Sequence, residues 1–324
     1  MKERTGRKTI YDCCVTESHT GQTVSRAAMP ATAVIWKSRS RMLASTAKGN
    51  DPLGFEDRPL MAQGGEERVM TETLEQIADE LVACRSDPKL FVDRMFPWAD
   101  APELAGRSPE RWQRAVLQQI RDGLPLGKAV RIAVASGHGV GKTALTSWIC
   151  LWAMSTCRDC RGILTASNEA QLSTRNRAEL RKWYRLFRGR EFFTLTATAL
   201  ISSDEAHEQT WRLDLLPWNE HRPEAFAGLH NQGKRIVVIM DEASVIPPII
   251  WQTLEPVMTD VGTEIVWCAV GNPLHSVGPF RECFGRFAHR WTGFHVDAGA
   301  RSALATSSRL NSGARITPKT VISF

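Results

Sequence analysis

The chain has 324 residues, room for one large α/β domain or two smaller ones, and its 43% hydrophobic and 23% charged content falls in the ordinary globular range. No stretch approaches the roughly 18 consecutive apolar residues of a membrane span, which excludes a membrane-spanning protein. A formal net charge of +6 favours a polyanionic partner, although the same charge also aids solubility.

Residues 1–70 mix Thr, Ser, Arg and Gly without a sustained period and read as a poorly ordered leader. Within it Ala27–Trp36 is mildly apolar, but Pro30 interrupts it and no cleavage site follows, so no signal peptide is expected. Leu74, Ile77, Ala78, Leu81 and Val82 then fall at helical spacing and predict a helix over 72–84. A second helix is expected over Pro109–Arg121, capped by Ser108 with Pro109 in its first turn. From there strands and helices alternate. Val130–Ala135 is a short apolar run, Lys142–Ser155 is helical, and Gly162–Ala166 is a strand. Glu169–Phe187 reads as one long helix capped by Asn168, and Ile236–Met240 and Ile265–Val270 are further buried strands. Continuous apolar strands separated by helices predict a mainly parallel sheet covered on both faces.

Between the strand at Val130 and the helix at Lys142 lies Ser136-Gly137-His138-Gly139-Val140-Gly141-Lys142-Thr143. It matches the phosphate-binding loop G-x-x-x-x-G-K-[ST], except that Ser136 holds the first glycine's place. Successive N–H groups in such a turn form an anion nest at the helix N-terminus. The glycines let the backbone approach phosphates, Lys142 brings a positive charge, and the Thr143 hydroxyl can ligate Mg²⁺. The alternative is a glycine-rich turn with no ligand. About a hundred residues on, the run Ile236–Met240 ends in Asp241-Glu242. Successive side chains at a strand end diverge, so Asp241 can serve the Mg²⁺ while Glu242 polarises the attacking water. Asn272, between Gly271 and Pro273 at the end of another strand, can reach a γ-phosphate; Gly-Asn-Pro is equally a plain turn signal. Gln113 can read an adenine edge or be an ordinary surface glutamine.

Other candidates carry less. Arg181–Arg190 interleaves basic and aromatic residues, but Leu180, Trp183, Tyr184 and Phe187 follow a core-facing helical stripe, leaving only the arginines for phosphates. Eight cysteines include the close pairs Cys13-Cys14 and Cys157-x-x-Cys160; a single C-x-x-C has no second pair to complete a zinc site, and reduced thiols in a cytosolic protein are expected. None of the eight histidines has metal-ligand spacing.

Taken in order, "RWQ", "SGHGVGKT", "TASNEAQL", "EAFAGLH", "IVVIMDEAS" and "CAVGNP" resemble the ATPase domain of the large terminase subunit of tailed bacteriophages. The resemblance covers about Ser108 to Asp297. It implies a three-layer P-loop NTPase of the additional-strand, catalytic-glutamate type, with the ATPase domain over 71–297 and an adenine-side subregion over 85–128. It implies a motor that hydrolyses ATP with Mg²⁺ to drive double-stranded DNA into a procapsid. Lys142, Glu242 and Asn272 are then catalytic. Gln113 and the loop Ser136–Thr143 bind nucleotide, and Thr143 and Asp241 hold the metal. Implied partners are a portal protein, a small terminase subunit, further copies of the chain on the portal, and DNA held without sequence preference. The implied setting is the cytoplasm of a bacterial host. An arginine finger is expected in such motors, with Arg175, Arg177 and Arg181 as candidates. Members of that family carry a second, RNase H-type nuclease domain. Here 298–324 contain neither Asp nor Glu, so that stretch reads as a non-native tail, nuclease activity is expected to be absent, and the chain reads as a truncated prophage copy.

Overall fold

The four apolar runs form the middle of a nine-stranded sheet. The structure, a computed structural model, describes residues 73–166, 172–260 and 262–297, and the backbone of 303–306. The leader expected over 1–70 and the cap expected at Asn168 lie outside the described residues, as does most of the tail.

In chain order the strands are β1 (Val130–Ser136), β2 (Arg161–Thr165), β3 (Phe193–Leu195), β4 (Ala199–Ser202), β5 (Arg212–Leu215), β6 (Arg235–Met240), β7 (Glu264–Gly271), β8 (Thr292–Val296) and β9 (Ala303–Thr306). Their spatial order is β3-β4-β5-β2-β6-β7-β1-β8-β9. The central six run parallel; β3, β4 and β9 are antiparallel to their neighbours. β7 lies between β1, which enters the phosphate-binding loop, and β6, which carries the acids. That insertion is the additional strand the sequence led us to expect. Ala303–Thr306, within the span expected to be a non-native tail, pairs with β8 as an edge strand.

Described helices are α1 (Leu74–Ala83), α2 (Pro88–Met95), α3 (Arg111–Gly123), α4 (Lys142–Thr156), α5 (Arg177–Leu186), α6 (Pro248–Leu254) and the single turn α7 (Pro279–Glu282). Successive side chains of β6 alternate between two cores. Val237 and Ile239 pack with α1 to α5, whereas Ile236, Val238 and Met240 pack with Ile250, Trp251 and Leu254 of α6 and Phe280 of α7. Hence three layers, with strands apolar on both faces. α4 is buried along its length from Leu145 to Thr156, which fits a helix apolar all round.

Two helix boundaries differ from expectation. α3 begins at Arg111, after Ser108 and Pro109, because the Glu110 N–H is taken by the side chain of Gln113 at 2.7 Å. The long helix expected to Phe187 is broken in its described part: Leu172–Asn176 forms a π-turn before α5 starts. As expected from their spacing, Leu180, Trp183 and Phe187 are buried. Among the described residues no helix is long and apolar enough to cross a membrane.

Candidate functional site: a phosphate-binding loop facing an acid pair

Parallel strands bring their carboxyl ends together, and crevices form where adjacent connections diverge. Here β1, β7 and β6 end side by side. β1 runs into the glycine loop, β7 ends at Gly271-Asn272, and β6 ends at Asp241-Glu242. Gly271 allows the close approach: a Cβ there would stand 3.0 Å from the Ala243 nitrogen and 3.2 Å from that of Ser244, the turn just after the acids.

The loop needs two of its glycines for backbone reasons. Gly139 and Gly141 have φ of +74° and +89°. Gly141 also abuts Gln113, whose Nε2 would meet an added Cβ at 2.8 Å. Gln113 is only 3% exposed, so it is not a surface glutamine. Its Oε1 accepts the Glu110 N–H and its Nε2 donates to the Gly141 carbonyl at 2.9 Å. The side chain thus ties the start of α3 to the last glycine of the loop, and it lines the neighbouring cavity as well.

The departure at Ser136 is chemically used. Lys142 Nζ donates to Gly137 O at 2.6 Å and to Ser136 Oγ at 3.1 Å, with Ser136 O at 3.4 Å. Its strongest contact outside the loop is Asn272 Oδ1 at 2.7 Å. Lysine can only donate, so this contact fixes the Asn272 amide. Its Nδ2 then faces the ring of His138, 2.7 Å from Nε2. Asn272 therefore bridges two residues of the loop from the neighbouring strand.

Asp241 is buried, 6% exposed. Its Oδ2 accepts Asn176 Nδ2 at 2.6 Å, and its Oδ1 accepts the Glu242 N–H at 2.9 Å. Burial nevertheless pushes its carboxyl above the usual carboxylate range, against those hydrogen bonds. Burial also lowers the Lys142 ammonium below the usual lysine range, opposed by the charges of Asp241 and Glu242. Glu242 adopts φ +52°, ψ +40°. A non-glycine residue in this region is costly and concentrates at functional sites. Its carboxylate lies 3.5 Å from Arg175 Nη1.

A cavity of about 630 Å³ gathers His138–Ala144, Arg175, Asn176, Glu179, Asp241, Glu242, Ser244 and Asn272. A second, of about 770 Å³, adjoins it and shares Gly139, Val140, Gly141, Ala144 and Glu179. It is lined by Trp98, Trp148 and Trp183, with centroids 4.9–5.7 Å apart, Trp148 edge-on to both others and Trp98 tilted against Trp183, together with Arg107, Gln113 and Lys182. The first has the volume for a polyphosphate and holds Lys142 and Arg175 beside three acids; the second places aromatic rings next to it. Of the three arginine candidates only Arg175 lines the first cavity. Arg177 donates to Ala197 O at 3.1 Å, and Arg181 is exposed on α5. The sequence reading missed Asn176 and the tryptophan wall. Asn176 carries no motif, and the three tryptophans come from segments 50 and 35 residues apart. Cys157 and Cys160 are buried thiols, with burial pushing Cys160 well up. Among the described residues no three His, Cys, Asp or Glu side chains cluster as a metal site. A Mg²⁺ held by one carboxylate, one hydroxyl and substrate phosphates needs no such cluster, and the oxygens of Asp241 and Thr143 in one cavity fit that hard cation.

No protein-family model matches the chain, and no curated protein matches it. Among solved structures it is similar to the large terminase ATPase domain of Thermus phage P74-26, at 18% identity over 59% of this chain and 75% of that one, with a TM-score of 0.40. It is similar to the large terminase of bacteriophage HK97, at 14% identity over 65% of this chain and 41% of that one, with a TM-score of 0.44. A third is the large terminase of a thermophilic bacteriophage in complex with ADP, at 14% identity over 57% and 44%, with a TM-score of 0.42. The chain spans less than half the length of the second and third, and each of the three is a phage large terminase or its ATPase domain.

Proposed function

We propose that this chain binds ATP with Mg²⁺, hydrolyses it, and uses the hydrolysis to move double-stranded DNA, as the motor half of a phage large terminase. One observation carries the chemistry: Lys142, Thr143, Asp241, Glu242 and Asn272, from three adjacent strand ends, line a single cavity. In this reading the loop amides cradle the phosphates, and Lys142 exchanges its loop oxygens for phosphate oxygens. Thr143 and Asp241 hold the Mg²⁺, which supplies neutralisation of charge developing on the phosphates. Glu242 orients the attacking water and takes its proton. Asn272, already touching Lys142 and His138, reports the state of the γ-phosphate to β7. Arg175 is the arginine closest to the reacting groups, and the tryptophan wall receives the base.

The DNA half of the proposal rests on the motif set and its order, with the chain's net charge of +6 in support. Portal protein, small terminase subunit and neighbouring copies of the chain are the partners this reading entails, and a prophage origin is part of it. DNA would be held through phosphates, without sequence preference and with steep salt dependence. The test is ATP turnover by the purified chain with and without double-stranded DNA. Lys142→Ala should abolish tight binding of a fluorescent ATP analogue, and binding that survives this change would refute the phosphate-loop assignment. A chain that binds ATP but never turns it over would be a nucleotide-dependent scaffold instead.

A further inference from the structure

Asn176 belongs to no motif, yet it is 3% exposed in a chain where asparagine normally meets water. A buried amide is costly unless its polar atoms are used. Here the Nδ2 donates to Asp241 Oδ2 at 2.6 Å. The other oxygen of the same carboxylate accepts the Glu242 N–H at 2.9 Å. One donor on each oxygen sets the plane of the carboxylate, since rotating it about its Cβ–Cγ bond would break both contacts. Asn176 is also the last residue of the π-turn Leu172–Asn176, an irregularity often found at functional sites. The residue before it, Arg175, faces Glu242. One irregular turn therefore touches both acids.

We propose that Asn176 is a positioning residue: its amide fixes the Asp241 carboxylate in the single orientation offered to the Mg²⁺ that accompanies the nucleotide. The inference rests on the ATP–Mg²⁺ reading of this site. Mg²⁺ demands near-ideal octahedral geometry, whereas Ca²⁺ accepts irregular ligand sets. A carboxylate freed to rotate should thus harm Mg²⁺ more than Ca²⁺. Removing a residue that orients a metal ligand typically costs about 10–100-fold in metal affinity.

The experiment uses the full chain and a fluorescent ATP analogue, titrated with Mg²⁺, with Ca²⁺, and in EDTA. Asn176→Leu keeps the approximate volume and removes the donor. Asn176→Ala adds no bulk and keeps the test readable should the leucine fail to fold. The expected result is an apparent Mg²⁺ affinity lower by about 10–100-fold, a smaller loss with Ca²⁺, and unchanged binding of the analogue in EDTA. Equal losses in all three conditions would mean a merely structural role and overturn the proposal, as would Mg²⁺ affinity within about twofold of the wild type, where an outer-shell loss of tenfold or more is expected. If the wild-type chain itself fails to bind the analogue, the reading of the site has failed, which is a different outcome from failure of the asparagine's role.

Discussion

β6 has a buried charge at each end, and the two ends treat their charges differently. At its amino end Arg235 is fully buried. Its Nε donates to Glu264 Oε2 at 2.9 Å, its Nη1 to Thr156 Oγ1 at 2.6 Å, and its Nη2 to Arg85 O at 3.0 Å. The guanidinium also lies 4.1 Å from the centroid of the Trp152 ring. The protein completes this charge with its own groups. At the carboxyl end, burial pushes Asp241 and Lys142 both toward their neutral forms, and Glu242 sits in a costly backbone conformation. One end is finished by the fold; the other is left for a ligand to finish. In the proposed reading, the second end trades stability for chemistry.

The comparison breaks most visibly at Glu242. Glu242→Gln should leave binding of Mg²⁺ and ATP intact and lower turnover by about 10²–10⁴, the usual contribution of a positioned general base. Asp241→Asn should instead lose the Mg²⁺-dependent part of binding. Steady-state kinetics and analogue titrations on both variants decide it, and an identical phenotype would show that the two acids do not divide the work. At the other end, Arg235→Met removes the bonds to Glu264, Thr156 and the Arg85 carbonyl, leaves Glu264 with the Arg85 guanidinium at 3.2 Å, and should cost up to about 3–5 kcal/mol, the range for breaking a buried pair. Adding Glu264→Leu should recover only part of that loss, because Arg85 then loses its carboxylate while Thr156 and the Arg85 carbonyl still lack the guanidinium. Denaturant unfolding measures both variants. Turnover per folded molecule should hardly change in either, and a large change would mean that the amino end is coupled to the site.

The middle of the sheet was legible because strands buried on both faces are continuous apolar runs, as at Arg235–Met240 and Glu264–Gly271. The edges were not. Arg212–Leu215 alternates polar and apolar residues over four positions, and Phe193–Leu195 has three residues. Such segments become strands only by pairing with β4 and β2, which no local pattern records. The phosphate-binding loop and the acids were legible because their chemistry demands fixed spacing along the chain. Asn176 was not, since it acts across space on Asp241; Gln113 stood out only beside the motif set, and its tie to Gly141 is likewise a contact across space. The π-turn escaped because its residues continue a helical pattern.

Arg175 sharpens the contrast at a smaller scale. Its side chain is 68% exposed, so the pair with Glu242 should contribute little to stability. Its position in the cavity would nonetheless give it access to charge developing in the proposed hydrolysis. Arg175→Ala should leave the melting temperature unchanged and lower turnover by about 10²-fold, the lower end of what loss of one electrostatic contact costs. Arg177→Ala and Arg181→Ala should remain near the wild type in the isolated chain. Should either of them be the damaging change, the arginine nearest Glu242 would not be the one used.

The smallest effect concerns what Asp241 costs the fold. Its carboxyl is raised above the ordinary value of 3.8, chiefly by burial. A carboxyl raised in the folded chain holds its proton more tightly there than in the unfolded chain. Between the two values the folded chain carries more protons, so stability falls as pH rises through that window. Above the folded value the cost is fully present; below the ordinary value both states are protonated and it vanishes. Asparagine keeps the shape and an acceptor for Asn176 and carries no charge to desolvate, at the cost of setting its Nδ2 against the Glu242 N–H. Asp241→Asn should therefore melt higher than the wild type at pH 7 in EDTA, and the two curves should converge as pH is lowered. Lys142 loses a favourable charge in the same variant, which takes back part of the gain and keeps the effect small. Thermal melts across pH, without nucleotide, measure it. A variant that melts lower at pH 7 would mean that the donors on Asp241 outweigh its burial, and that this end of β6 is as complete in itself as the end that holds Arg235.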